Sequence, residues 1–230
     1  MNTTWNLNEL KQNCSNLISE QADIYLKTIQ RKEEHISFLT EKLSALRDIP
    51  TGDQQEIKQI KLQTEIYLES LMQNLNSLPD AIAHLIMVII INPLPENFDN
   101  ILIGRSINFH SVLQALNRFP QNSSTPNYRQ RYIASIREKM DQLKQSSQYQ
   151  YVKDLVNTTK HRHLISVEYV AGRTGCDWKF LAFTIDGRGH GEVNGQEVIE
   201  DRCLKFLNLF HEIGQEINNY CLAYRIENPN

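Results

Sequence analysis

The sequence is poor in cysteine, and its four cysteines stand far apart without a C-x-x-C pair: Cys14, Cys176, Cys203 and Cys221. This spacing is a poor basis for a disulfide framework or a thiolate metal site, so we expect four reduced thiols and no bound metal. The N-terminal residues lack the basic and apolar stretches of a secretory signal. Together these absences predict a cytoplasmic protein.

An excess of one charge is also lacking, since 24 Lys and Arg face 27 Asp and Glu, for a formal net charge of -3. This balance excludes a uniformly basic nucleic-acid coat. The longest apolar run, Ala81–Ile91, is interrupted by His84 and is shorter than the about 20 residues that cross a bilayer, so it predicts a buried helix and no membrane partner. The G-x-S-x-G, H-E-x-x-H and dinucleotide-binding motifs are absent, and we expect no cofactor.

Glycine is absent before Gly52, and the first two thirds of the chain repeat apolar residues at steps of three and four, which predicts helices. Ser77, Pro79 and Asp80 are typical of a helix start. The period changes to two near Ile165, which predicts strands, and Asn194-Gly195 favours a tight hairpin. The predicted fold is mainly α: an up-and-down helical bundle with a small antiparallel β-meander before the last helix.

One domain over residues 1–230 accounts for this pattern. Its predicted parts are an N-terminal long helix or helix pair (1–50), a bundle core (51–163 and 198–225) and the β-meander (164–197).

The local charge is less even than the total. Residues 129–163 hold eight Lys and Arg against three acids, with three tyrosines interleaved and Tyr128 directly before them. Such a face can bind phosphates by charge and stack bases on aromatic rings, although helices also carry Lys and Arg simply for solvation. The predicted nucleic-acid-binding residues are Arg129, Arg131, Lys153, Lys160, Tyr132 and Tyr151.

The polar segment 154–163 closes a predicted helix just before the strands. A histidine at a helix end can exchange protons near neutral pH, and Asn157 shares a helix face with His161. We predict that His161, Asn157 and Arg162 are catalytic. Alternatively, Asn157 and Lys160 cap the helix while His161 packs at the helix-to-strand corner.

The run from Asp186 to His190 suggests another hypothesis, a small-molecule enzyme. It lacks the setting of a phosphate-binding loop, and no Ser or Cys partner stands at a recognisable spacing. A hairpin turn is the simpler interpretation, and an enzyme of this kind needs a pocket.

Residues 77–86 (SLPDAIAHLI) and 154–165 (DLVNTTKHRHLI) resemble proteins of the HEPN kind, the higher eukaryotes and prokaryotes nucleotide-binding proteins. The resemblance implies a helical bundle, frequent homodimers and, in active branches, metal-independent ribonucleases of toxin-antitoxin or phage-defence systems. There an Arg, four to six residues and then a His form the site. Counting back from His161, that arginine position falls on Asp154, Leu155 or Val156, so this sequence departs from the pattern.

We therefore expect a HEPN-like protein that binds RNA or a nucleotide through the basic face ending at His161, as a degenerate or active ribonuclease. The expected protein partners are a second copy of the chain and an antitoxin protein. The alternative is a non-catalytic helical interaction or dimerisation protein whose apolar stripes pair with another chain.

Overall fold

The computed structural model describes residues 5–14, 20–46, 54–93, 106–119, 127–161, 166–172 and 175–228. Over these ranges the chain is mainly α with a few antiparallel strands before the last helix, which confirms the predicted fold class. The first helices are α1 (Leu7–Asn13), α2 (Glu20–Ala45), α3 (Gln54–Ile86), α4 (Phe109–Asn117), α5 (Asn127–Gln145) and α6 (Ser147–His161).

The strands are short and pair only with antiparallel neighbours: β1 (Val167–Gly172), β2 (Gly175–Phe180), β3 (Phe183–Ile185), β4 (Arg188–His190) and β5 (Val193–Asn194). One sheet has the order β1-β2-β5, and β3 and β4 form a separate hairpin. The final helical stretch comprises a single turn, a π-helical segment and a long helix: α7 (Gly195–Glu197), Val198–Leu204 and α8 (Lys205–Glu227).

The predicted helix start at Ser77 is wrong, because α3 continues through it with Pro79 in its interior. Proline removes one backbone hydrogen bond and favours a kink. The flanking Leu78 and Ile82 are fully buried, and their packing offsets that loss. A π-helical turn, Met87–Ile91, extends α3 at its end.

By length and composition alone, the continuous helix Gln54–Ile91 could cross a membrane. However, 67% of its most apolar window is buried by the rest of the chain, which is typical of a core helix.

Contacts between Cα atoms divide the chain into two compact units. The first unit contains Met1–Arg31, Ser77–Gln145 and Asn208–Asn230, and the second contains Lys32–Asn76 and Ser146–Leu207. The prediction of a single domain over 1–230 stays a prediction.

The first unit anchors its N-terminal residues on α8. The indole of Trp5 donates a hydrogen bond to Asn218 Oδ1 at 3.0 Å and packs edge-on against Phe210, with 5.9 Å between ring centroids. Gly214 allows this approach, because a Cβ atom there would overlap the indole. A helix-interior glycine is unfavourable by itself, so its role here is to admit the ring.

A disulfide between Cys14 and Cys221 also joins the chain ends in this unit, with their Cα atoms 5.5 Å apart. The expectation of four reduced thiols is therefore corrected. The two cysteines are 207 residues apart in sequence, so no local spacing pattern could reveal their proximity.

The second unit packs its strands around Trp178, which is fully buried and donates from Nε1 to the Leu43 carbonyl at 3.3 Å. Asn194-Gly195 does not form the predicted hairpin. Asn194 instead caps α7, since its side chain accepts from the Glu197 backbone N–H at 2.8 Å, and Gly195 lies against Trp178, where a Cβ atom would not fit.

Candidate functional site

Three of the predicted site residues share one face of α6 in the second unit. Lys153, Asn157 and Lys160 are four and three positions apart, which places them on one side of a helix. Lys153 and Lys160 are exposed and Asn157 is half-buried. One face of α6 therefore presents two exposed lysines beside Asn157.

The other predicted catalytic residues lie at the end of α6. His161 is its last residue, but its side chain falls outside the described part of the structure, and Arg162 lies outside the described residues altogether.

The predicted nucleic-acid-binding residues are divided between the two units. Arg129, Arg131 and Tyr132 lie on α5 in the first, and the others lie on α6 in the second. Arg131 is exposed, and its guanidinium lies 5.1 Å from the centre of the Tyr132 ring.

Tyr151 does not provide the predicted platform for a base, because it is only 2% exposed. Its ring contacts Arg202, Phe183 and His190, with the Arg202 guanidinium 5.1 Å from the ring centre. Burial raises the pKa of the Tyr151 phenol, and the charge of Arg202 opposes this effect only in part.

The most concentrated polar cluster forms around Asp154 on α6. Arg188 donates to its carboxylate from Nε at 2.9 Å and from Nη2 at 2.8 Å, and Nε2 of His190 lies 3.0 Å from the same group. The Asp154 side chain is only 1% exposed, whereas Arg188 is 53% exposed and His190 17%. A buried carboxylate thus holds a guanidinium and an imidazole at the protein surface.

The β3–β4 hairpin brings the guanidinium of Arg188 and the imidazole of His190 together. Asp186 and Gly187 turn the chain with φ angles of 47° and 78°, the left-handed values that a tight hairpin of this kind requires. Arg188 and His190 are two residues apart on β4 and so point to the same face. Phe183 stacks on the His190 ring at a centroid distance of 4.5 Å.

The ion pairing fixes the charge of the cluster. Burial acts to raise the pKa of Asp154, but hydrogen bonds from Arg188 and His190 outweigh it, and the pKa is lowered below its usual value. The hydrogen bond to Asp154 raises the pKa of Arg188. Near neutral pH the carboxylate is therefore ionised, and its hydrogen-bonding oxygens act only as acceptors.

A pocket near the carboxyl-terminal half of α6 is too small for a substrate. It holds about 20 Å³, enough for about one water molecule, and is lined by Glu65, Leu68, Glu69, Met72, Leu155, Thr159 and Phe180. Among the residues described, no group of three or more His, Cys, Asp or Glu side chains could hold a metal ion.

The pairing of Asp154 with the hairpin was not predicted from the sequence, although one signal was present. Asp154 falls on the apolar face of α6 with Tyr151 and Leu155, and a charged residue among buried positions requires a partner. The partners Arg188 and His190 lie more than 30 residues away, where spacing patterns give no guide.

Comparisons with known proteins do not identify a relative. No family model matches the chain, and neither the curated proteins nor the solved structures contain a match.

Proposed function

We propose that this chain is a HEPN-like protein that binds RNA or a nucleotide along α6 and acts on a phosphodiester with Arg188 and His190. One observation carries the proposal: Arg188 is bound to Asp154, seven positions before His161. The resemblance places a catalytic arginine at that distance from a histidine. In this chain Asp154 stands at that position of α6, and the guanidinium comes from Arg188 on the β3–β4 hairpin.

The geometry of α6 supports this arrangement. Asp154, Asn157 and His161 are three and four positions apart, so their backbone positions follow one stripe of the helix about 10 Å long. The exposed Lys153 and Lys160 lie beside that stripe, where they could neutralise backbone phosphates.

The tautomer of the neutral His190 imidazole suits a general base. Because the ionised Asp154 accepts from Nε2, the proton of a neutral imidazole resides there and Nδ1 keeps its lone pair. Nδ1 would take the proton of a 2'-hydroxyl, O2' would form a bond to phosphorus, and the bond to the 5'-oxygen would break. The 5'-oxygen would take a proton from water, and the His190 imidazolium would return its proton to the hydroxide that remains. Arg188 would stabilise the charge on the phosphoryl oxygens.

The test uses a labelled single-stranded RNA and the purified full chain in excess EDTA. Retardation of the RNA should weaken steeply with salt and with the double substitution of Lys153 and Lys160 by Gln. Cleavage should fall at least about 100-fold in His190→Gln and in Arg188→Gln. Lys205→Gln serves as the matched charge control, because Lys205 is an exposed residue at the start of α8 that pairs with Asp201.

A substrate with a 2'-deoxyribose at the cleaved position separates chemistry from folding, because it removes the nucleophile and leaves the protein unchanged. If the unmodified RNA is retarded but not cleaved, the chain is a binding protein and the proposed catalytic step is rejected. A chain that retards no RNA at low salt would reject the proposal as a whole.

Exposed apolar side chains favour a second candidate, the helical interaction or dimerisation protein. In the second unit, Phe38 on α2 and Leu62 and Ile66 on α3 are each more than half exposed. Leu62 and Ile66 are four residues apart and share a helix face. Light scattering over a dilution series should show a dimer that Leu62→Glu dissociates and His190→Gln leaves intact; a monomer at all concentrations would exclude self-association.

A further inference from the structure

The first turn of α5, in the first unit, places an arginine among tyrosines. Arg129 donates from Nε to the Tyr128 hydroxyl at 3.1 Å. Its guanidinium carbon lies 5.4 Å from the ring centre of Tyr224 and 6.0 Å from that of Tyr128. The two terminal nitrogens of the guanidinium have no hydrogen-bond partner among the described residues.

No carboxylate among the described residues compensates the charge of Arg129, in contrast to Arg188 with Asp154 and Arg202 with Glu197. Burial acts to lower the pKa of Arg129. The hydrogen bond with Tyr128 and the nearby phenols of Tyr220 and Tyr224 raise it overall. A half-buried cation is thus surrounded by phenols instead of a counter-ion, which leaves it available for an anionic ligand.

The Tyr220 hydroxyl provides a second, independent observation. Tyr220 is fully buried, and its hydroxyl has no hydrogen-bond partner among the described residues. Burial raises the pKa of this phenol to about 12, while the charge of Arg129 opposes the rise. Since an unpaired buried hydroxyl is unfavourable, an acceptor beside Arg129 would stabilise the folded chain.

We propose that Arg129, Tyr128, Tyr220 and Tyr224 form a binding site for the phosphate group of a small phosphomonoester. The guanidinium fork and the Tyr220 hydroxyl donate to the phosphate oxygens, and Tyr128 has its own hydroxyl proton to donate while it accepts from Arg129. The first turn of α5 contains no acidic residue, so the helix dipole adds to the attraction for a dianion. The site does not depend on Asp154, Arg188 or His190.

The alternative is a purely structural role, in which Arg129 only joins α5 to α8 through its aromatic contacts. Removing Arg129 would then destabilise the protein, but phosphate would have no specific effect. A binding measurement therefore separates the two.

The test is calorimetric titration of the full chain with inorganic phosphate and with glycerol phosphate, using acetate at matched ionic strength as the reference anion. We expect saturable binding of both phosphates that is at least 10-fold weaker in Arg129→Gln and several-fold weaker in Tyr220→Phe. Arg131→Gln, which removes an exposed cation two positions along α5, should bind like the unaltered chain.

Tyr220→Phe keeps the ring and removes only the unpaired hydroxyl, so it stays informative if Arg129→Gln does not fold. Phosphate binding no stronger than acetate binding would overturn the proposal. Equal losses in Arg129→Gln and Arg131→Gln would also overturn it, because they would show diffuse attraction to a basic helix.

Discussion

The Nε2 atom of His190 lies 3.0 Å from Oδ2 of Asp154, a carboxylate whose side chain is only 1% exposed. Arg188 binds the same carboxylate through two nitrogens. The β3–β4 hairpin is therefore fixed to α6 through one buried negative charge, and any chemistry of Arg188 and His190 depends on that charge.

Asp154→Asn should lower the free energy of unfolding near neutral pH by about 1.5–3 kcal/mol, because hydrogen bonds to a charged group contribute about that much. The lowered pKa of Asp154 sets the pH dependence. Its stabilising effect is complete above the ordinary value of 3.8 and is lost as the pH falls through the lower pKa of the folded state. Urea unfolding of Asp154→Asn and of the unaltered chain between about pH 7 and pH 3 measures this pH dependence. The difference between their free energies of unfolding should shrink at the acid end.

Asp201→Asn is the matched control, since Asp201 pairs with Lys205 on an exposed helix face. Exposed pairs of this kind contribute little to stability, because solvent screens the charges. If both variants lose the same stability, or if the effect of Asp154→Asn does not change with pH, the carboxylate is not the anchor of the hairpin.

The fold class could be predicted from the sequence because helical and strand periods are local. The helix boundary at Ser77 and the hairpin at Asn194 were wrong for the same reason: Pro79 and Asn194 are ambiguous locally, and burial around them decides the outcome. The cluster at Asp154 and the disulfide could not be predicted, since each joins residues far apart in sequence. Only the cationic positions Lys153 and Lys160 were both predicted and found exposed together on α6.

Gly214→Ala should destabilise the chain, although alanine usually stabilises a helix interior by about 0.5–1 kcal/mol relative to glycine. The added Cβ would overlap the Trp5 indole, and relief of such overpacking costs about 1–3 kcal/mol. Thermal unfolding of Gly214→Ala and of the unaltered chain shows whether the substitution lowers or raises stability. In a Trp5→Ala background the same change should stabilise, because the overlap is gone.

Gly191→Ala is the control for this prediction, since nothing lies within 4 Å of a Cβ atom built there. A stabilising Gly214→Ala in the unaltered chain would mean that Trp5 does not pack on α8 in solution.

Loss of the Cys14–Cys221 disulfide should lower the free energy of unfolding by about 2–5 kcal/mol, since the bond constrains a long loop in the unfolded chain. A reductant should produce this loss of stability in the unaltered chain. It should do the same in Cys203→Ser, which lacks only the buried free thiol. In Cys14→Ser, which cannot form the disulfide, the reductant should cause no further loss of stability. Alkylation of the denatured, unreduced protein should modify Cys203 and leave Cys14 and Cys221 unmodified, as located by peptide mass spectrometry.

The same alkylation tests the predicted cytoplasmic location, because reducing compartments keep such cysteines as thiols. Thiol trapping in intact cells should modify all four cysteines if the chain folds in a reducing cytoplasm. The reduced chain would then rely on Trp5 and Asn218 to hold its N-terminal residues on α8. Trapping that spares Cys14 and Cys221 would show that the bond forms in the cell, and would contradict the predicted cytoplasmic location.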